Sequence, residues 1–114
     1  MALPPSGSDR TELDLMRLLG ASPKLSQREL ASFLGMSLGK ANYCVRALID
    51  KGFVKAENYR NSENKLAYFY LLTPSGISAK AELTRQFLAH KVREYEELRL
   101  EIERLQRETE VTHS

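Results

Sequence analysis

The sequence predicts a mainly α-helical protein with one small β-hairpin, in which a compact head is followed by a long C-terminal helix. Three observations indicate this class. Short amphipathic helical patterns fill the first half of the chain, two β-prone runs flank a polar turn in the middle, and a pattern of coiled-coil period fills the last third. A chain of 114 residues is long enough for one compact domain with one core.

The first two helices have recognisable ends. The first is predicted over residues 11–20, where the apolar spacing is helical and Gly20 ends it. In the second, Ser26 and Glu29 have the spacing of a capping box, so this helix should begin at Gln27 and end at Gly35 after about two turns. The apolar residues of the two helices are Leu13, Leu15, Met16 and Leu19 in the first, and Leu30, Phe33 and Leu34 in the second.

The third helix follows the second after a very short turn. Only Met36 separates Gly35 from Ser37, which can cap a helix that ends near Gly52. Two helices joined by so tight a glycine turn must cross steeply, which is the helix-turn-helix arrangement. The inward positions of the third helix are predicted to be Leu38, Ala41, Val45 and Leu48.

The outward side of the third helix carries polar residues that suit a DNA groove. Arginine can pair with guanine through two hydrogen bonds and asparagine with adenine, which favours Arg46 and Asn42 for base contacts. The side chains of Lys40 and Tyr43 can reach phosphates. Ser37 and the helix N-terminus can also hold a phosphate, and Gly39 would allow close approach to a backbone. An ordinary solvated helix face is the alternative interpretation.

A β-hairpin is predicted after Gly52. The segments "FVKAENY" and "LAYFYLL" are rich in β-branched and aromatic residues, and they flank the polar turn "RNSENK". Its tip carries Arg60 and Lys65, and a hairpin that directly follows a helix-turn-helix is the wing of a winged helix. The adjacent aromatic residues Tyr68, Phe69 and Tyr70 are interpreted as strand and core packing in preference to a stacking platform for single strands.

The last helix is predicted to begin with Thr73 as N-cap and Pro74 as first residue, and to run to about residue 108. About 35 residues give a length of roughly 50 Å, more than the head can cover. Its coiled-coil spacing predicts a parallel homodimer in which Glu94 faces Arg99 of the partner. The spacing is carried by Ile77, Ala81, Thr84, Leu88, Lys91, Tyr95, Leu98, Ile102 and Leu105, of which Leu88, Tyr95, Leu98, Ile102 and Leu105 are the predicted dimer contacts.

Charge and composition set the class of protein. The net charge is only +2, but residues 24–65 contain eight basic and four acidic residues, whereas residues 75–114 contain seven basic and eight acidic ones. No signal-peptide or membrane-spanning pattern is present, and the single cysteine suits a reducing cytoplasm. The predicted organisation is a disordered tail (1–10), a head (11–74), a dimerisation helix (75–108) and a frayed end (109–114).

The sequence favours neither catalysis nor a cofactor. It has no nucleophile elbow, no phosphate-binding glycine loop and no histidine–carboxylate pair. His90 and His113 have no carboxylate or cysteine at ligand spacing, so no metal site is predicted. Cys44 borders the apolar face of the third helix and is interpreted as a packing residue, with redox sensing as the alternative.

These residues also carry a resemblance. From "LSQRELASFLGMSLGKANYCVRALIDKGFVKAENYRNSENKLAYFYLLTPSGI" the chain resembles MarR-type winged-helix regulators, most closely the small subgroup associated with exopolysaccharide gene clusters. The resemblance covers roughly residues 11–108 and implies a dimer on a pseudo-palindromic operator. It implies base readout by Asn42, Tyr43 and Arg46, and phosphate contact by Ser37, Lys40, Arg60 and Lys65. Family members dimerise through helices at both termini, whereas this chain has one long C-terminal helix.

Two functions remain open from the sequence. The first is a sequence-specific regulator that binds double-stranded DNA as a dimer. The second is a winged-helix adaptor that binds other proteins and assembles through its coiled coil. Basic charge at both the third helix and the hairpin tip favours the regulator. Neither the operator nor an effector ligand follows from the residues.

Overall fold

The computed structural model describes residues 5–60 and 62–113 of the chain. Helices α1 (Gly7–Ala21), α2 (Gln27–Leu34) and α3 (Leu38–Asp50) come first, strands β1 (Val54–Arg60) and β2 (Leu66–Leu72) form an antiparallel hairpin, and α4 (Pro74–His113) ends the chain. Val54 pairs with Leu72 at the base of the hairpin, and Arg60 pairs with Leu66 at its tip. The predicted winged helix-turn-helix with a long C-terminal helix is confirmed.

Helix α1 begins four residues earlier than the sequence predicted. The Ser6 hydroxyl accepts a hydrogen bond from the Asp9 amide, and the Asp9 carboxylate accepts one from the Ser6 amide, each at 3.0 Å. This reciprocal capping box satisfies two amides at the helix start and stabilises the first turn. The predicted disordered tail is therefore wrong for residues 7–10, and residues 1–4 of that prediction lie outside the described residues.

Local signals set the geometry of the helix-turn-helix. The predicted capping box of α2 is present, since Ser26 Oγ accepts from the Glu29 amide at 3.1 Å. Gly35 ends α2 with φ of 64°, in the left-handed region that favours glycine. Ser37 Oγ then accepts from the Lys40 amide at 3.1 Å and caps α3, as predicted. The turn between these helices is short because only one residue separates Gly35, the C-cap of α2, from Ser37, the N-cap of α3.

The core lies where α1, α2, α3 and the base of the hairpin meet. Two predicted apolar positions lie outside it, since 67% of Phe33 and 44% of Leu38 is exposed. Leu38 is the first residue of α3, and burial of that helix begins one turn later, at Ala41. Cys44 is half-buried against the core, in keeping with a packing role. The buried residues that form one connected core cluster are Leu15, Met16, Leu19, Leu30, Val45, Leu48, Val54 and Tyr70.

Helix α4 starts on the head and then leaves it. The Gly76 amide donates to Thr73 Oγ1 at 3.0 Å, which confirms Thr73 as the N-cap. Leu83 packs against the core, and the Arg10 guanidinium lies 5.6 Å from the centre of the Phe87 ring. The helix continues through residues 109–113, which the sequence prediction assigned to a frayed end, while residue 114 lies outside the described residues. Its 40 residues span about 60 Å, in a molecule 75 Å long.

No helix within the described part of the chain is both long and apolar enough to cross a membrane.

Candidate nucleic-acid interface

Helix α3 has a buried face and a projecting polar face. Ala41, Val45 and Leu48 are fully buried, as predicted, so their side of the helix is held by the core. On the opposite side Tyr43 is 76% exposed and Arg46 is also exposed. Because the buried face orients the helix, the outward direction of Tyr43 and Arg46 follows from core packing. These two predicted base-contact residues therefore lie on the solvent-facing side of the helix.

Asn42, the third predicted base-contact residue, has a different position. It is half-buried on the flank of α3 that faces the hairpin, where it and Arg46 border a cleft of about 400 Å³. Lys40 and Tyr43 border a separate cavity of about 300 Å³, on the side of α3 that faces Gly7 and Thr11 of α1. Helix α3 thus stands between two depressions, with Tyr43 and Arg46 on its exposed ridge.

The start of α3 is open to solvent. Ser37 and Gly39 are exposed, and a Cβ atom built on Gly39 would meet no atom within 4 Å. A phosphate therefore has unhindered access to the first turn of this helix. Unpaired amides and the positive end of the helix dipole favour an anion there.

Three basic side chains of the helix-turn-helix have no partner. Within the described residues, the side chains of Arg28, Lys40 and Arg46 make no hydrogen bond, ion pair or ring contact. Other cations of the head are occupied, since Lys51 pairs with Glu12 and Lys55 lies 2.8 Å from Glu57. An unpaired cation can neutralise a phosphate without first losing an intramolecular partner. The available positive charge of the head is therefore concentrated on α2 and α3.

Arg28 is a candidate that sequence reasoning did not select. It lies exposed in the first turn of α2, one residue after Gln27. The sequence places the predicted DNA contacts on the third helix and the hairpin tip, whereas Arg28 contributes only to the basic charge of residues 24–65. The signal in the sequence that could have identified Arg28 as a phosphate contact is its place between Ser26 and Glu29, in the first turn of α2.

The basic residues at the hairpin tip are engaged locally. Arg60 Nη1 donates to the backbone carbonyl of Asn64 at 3.2 Å, and Asn64 has φ of 61°. Lys65 Nζ lies 3.3 Å from a carboxylate oxygen of Glu63. Phosphate contacts by Arg60 and Lys65 must compete with these partners, so their expected contribution is smaller than that of Lys40. Asn61, within the predicted turn, lies outside the described residues.

The predicted dimer contacts form an exposed apolar stripe along α4. No other element of the described chain covers them, since α4 has left the head where the stripe becomes continuous. The exposed fractions are 63% for Leu88, 64% for Tyr95, 55% for Leu98, 47% for Ile102 and 53% for Leu105.

Charged groups beside this stripe pair within the helix. The prediction that His90 lies apart from any carboxylate is wrong, because its Nε2 is 2.8 Å from Glu94, one turn further along. Hydrogen bonding from Lys91, at 3.1 Å, holds the pKa of Glu94 below its usual value, with a smaller contribution from His90. Within the described residues, no group of three or more histidine, cysteine or acidic side chains is placed to hold a metal ion.

Comparisons with known proteins agree with this geometry. Residues 8–55 match the family model for winged helix-turn-helix DNA-binding proteins, whereas the comparison with curated proteins gave no match. Among solved structures, the chain is similar to the Mycobacterium tuberculosis MarR family protein RV2887, whose structure was solved in complex with p-aminosalicylic acid. Here the identity is 23%, the TM-score is 0.57, and the alignment covers 83% of this chain and 76% of that one.

Two further solved structures show the same similarity. MepR, a transcription regulator of the Staphylococcus aureus multidrug efflux pump MepA, aligns with 18% identity, a TM-score of 0.58 and coverage of 83% of this chain and 75% of that one. A MarR-family transcriptional regulator from Rhodococcus sp. RHA1 aligns with 16% identity, a TM-score of 0.62 and coverage of 75% and 59%. At these identities the similarity establishes the fold.

Proposed function

We propose, from the premise that this chain has a winged helix-turn-helix fold of the MarR type, that it is a transcriptional regulator that binds a specific operator as a dimer. The observation that carries the proposal is the set of three unpaired cations on the helix-turn-helix, with Arg46 on the exposed side of α3. Arg46 reads a guanine, Asn42 and Tyr43 contact neighbouring bases, and Ser37, Gly39 and Lys40 approach phosphates. Arg60 and Lys65 contribute phosphate contacts from the wing.

The dimer follows from the apolar stripe of α4. Two copies that bury this stripe in parallel hold both heads at the same end of the rod, so that two recognition helices enter successive major grooves about 34 Å apart. Twofold symmetry of the protein is then matched by a pseudo-palindromic operator. The proposed site of action is the cytoplasm, and the proposed targets are exopolysaccharide genes, on the strength of the sequence resemblance.

The decisive experiment measures binding of the purified protein to its own upstream DNA and to a scrambled duplex, at several salt concentrations. We expect a dimer by solution mass, a steep salt dependence, and a preference for the upstream fragment of at least about a thousandfold. Weak and equal binding to both duplexes would contradict a specific regulator that recognises this upstream fragment. That result would favour a winged-helix adaptor, whose partner is another protein.

Replacing Arg46 with alanine is expected to weaken operator binding about thirtyfold, because a bidentate arginine–guanine contact is lost. Binding to the scrambled duplex should fall only about threefold, through the loss of one positive charge. The same titrations measure both effects. Lys40→Ala is the matched control, since it also removes one unpaired cation from α3 but should weaken both duplexes alike. An equal loss on both duplexes for Arg46→Ala would remove Arg46 from base readout.

A further inference from the structure

The cleft between α3 and the hairpin has walls of different chemistry. One wall is α3, which contributes Asn42, Arg46 and Asp50, and the other is the hairpin, which contributes Tyr68 and Tyr70, while Gln27 of α2 closes the inner end. The cleft measures about 400 Å³. It lies beside the proposed recognition surface, so whatever occupies it must also lie next to a duplex bound there.

The inner end of this cleft is held rigidly. Tyr70 is only 7% exposed, its backbone amide donates to the Pro23 carbonyl at 3.0 Å, and its hydroxyl accepts from Gln27 Nε2 at 3.1 Å. These contacts join the hairpin to the α1–α2 turn and to α2. Because α2, α3 and Tyr70 share one core, these hydrogen bonds also help to fix the position of the hairpin relative to α3.

Tyr68 lies on the same hairpin wall as Tyr70 but is more exposed. Its side chain is 46% exposed, and its ring centre lies 6.4 Å from that of Tyr70. Within the described residues its hydroxyl makes no hydrogen bond. Strand packing, the role predicted for this residue, accounts for the ring and leaves the hydroxyl without a partner. Across the cleft, Arg46 is assigned to a base contact, so Tyr68 supplies the hydrogen-bond donor of this cleft that has no other role.

We propose that this cleft holds one sugar–phosphate strand of the DNA, and that the Tyr68 hydroxyl donates a hydrogen bond to one of its phosphates. This inference rests on the proposed function. In B-form DNA a single sugar–phosphate strand separates the major groove from the adjacent minor groove. A protein that places α3 in the major groove and makes phosphate contacts from its hairpin must leave room for a sugar–phosphate strand between the two elements. The cleft occupies that position, and the Tyr68 hydroxyl on its hairpin wall is a donor that matches a phosphate oxygen.

Asp50 restricts where the phosphate lies. It lines the cleft at the last residue of α3, one turn beyond Arg46 and away from Asn42. A carboxylate repels a phosphate, so the strand is placed toward the Asn42 end of the cleft. Replacing Asp50 with asparagine is expected to tighten binding to any duplex about threefold and to have less effect at high salt.

The test compares Tyr68→Phe with Tyr59→Phe in the full-length protein. Tyr59 lies on the opposite face of the same hairpin, where its ring centre is 4.2 Å from that of Phe69 and 5.9 Å from Lys24 Nζ. We expect Tyr68→Phe to weaken binding to the upstream and scrambled duplexes alike, by about fivefold, because the contact is to a phosphate. Tyr59→Phe should leave both affinities unchanged. The thermal unfolding of both variants reports any structural damage.

Replacing single DNA phosphates with uncharged methylphosphonates identifies the phosphate that Tyr68 contacts. Single methylphosphonates are placed in turn along each strand of the upstream duplex, and wild type and Tyr68→Phe are compared on each. At the contacted position the two proteins should bind equally. If wild type binds the upstream duplex specifically and Tyr68→Phe binds just as tightly, the cleft proposal is overturned and the regulator proposal stands. If wild type binds no duplex, both proposals fail.

Discussion

Replacing Leu98 with aspartate is expected to convert the proposed dimer to monomers and to weaken operator binding about a thousandfold. The first effect arises because two carboxylates would face one another across an apolar seam, without partners and away from water. The second arises because each head of a dimer binds its half-site at the high effective concentration that the other head provides, a gain of about a hundredfold to ten-thousandfold that monomers lose.

Leu100 provides a matched control for this substitution. It is 49% exposed and lies on the same stretch of α4, but off the stripe that contains Leu98. Leu100→Asp therefore introduces the same charge into the same helix without entering the seam. Solution mass and operator affinity should change for Leu98→Asp and stay near wild type for Leu100→Asp. A dimer mass that survives Leu98→Asp would contradict the coiled-coil arrangement.

The charges beside the seam should contribute less than its apolar residues. Within one chain, Arg99 already lies 3.0 Å from Glu96 and 2.8 Å from Glu103, and hydrogen bonding to Glu96 raises the pKa of Arg99. Glu94 is likewise paired with Lys91. The predicted contact between Glu94 and the Arg99 of a second copy would exchange these pairs for another exposed pair, and such exchanges have little net effect on stability. The apolar stripe therefore dominates the expected association.

Replacing Gly76 with alanine is expected to lower the free energy of unfolding by about 3 kcal/mol, which corresponds to a fall of roughly 10–20 °C in Tm. Gly76 is buried where the first turn of α4 lies against the loop after α3. A Cβ atom built on it would lie 2.0 Å from the backbone oxygen of Phe53 and 2.9 Å from its carbonyl carbon. Backbone atoms in a packed core cannot yield as a flexible side chain does.

Neighbouring hydrogen bonds increase this cost. The Phe53 carbonyl accepts from the Thr73 amide at 3.0 Å, and Thr73 in turn caps α4 through the Gly76 amide. The Thr73 hydroxyl also lies 2.6 Å from the Gly52 carbonyl, to which it donates. Moving Phe53 or α4 apart to admit a methyl group disturbs these contacts together. The same junction sets the direction in which α4 leaves the head.

Gly39→Ala is the matched control for Gly76→Ala. Both residues lie near the start of a helix, but no atom lies within 4 Å of a Cβ built on Gly39. Alanine there should leave stability unchanged or raise it by up to about 1 kcal/mol, through its higher helix propensity. Thermal and denaturant unfolding at one protein concentration compare the two variants. A Tm for Gly76→Ala equal to that of wild type would contradict the close packing at this junction.

Local chemistry made much of the fold predictable. The serine caps at Ser26 and Ser37, the left-handed Gly35 between them and the Thr73–Pro74 helix start each act within three or four residues. Signals of this range are legible in sequence, and the helix-turn-helix followed from them. The predicted start of α1 is four residues late, although the Ser6–Asp9 capping box that begins this helix is a signal of the same short range.

The candidate interface could be predicted only in part. The sequence indicated which residues of α3 face outward, because helical spacing opposite Ala41, Val45 and Leu48 determines that. It did not indicate that Asn42 is half-buried beside the hairpin, or that Tyr68 lines the same cleft. These positions depend on how far the hairpin lies from α3, which is decided by contacts between residues distant in the chain, such as Gln27 with Tyr70.

By itself, the sequence determined the order and type of the elements, the outward face of the third helix and the apolar stripe of α4, because caps, turns and periodic spacing act over a few residues. Only the tertiary structure decided which cations remain available. Lys51 contributes to the basic surplus of residues 24–65, yet it pairs with Glu12, which lies 39 positions earlier in the chain. Ion pairing depends on distance in space, so the unpaired set of Arg28, Lys40 and Arg46 emerged only when the chain was folded.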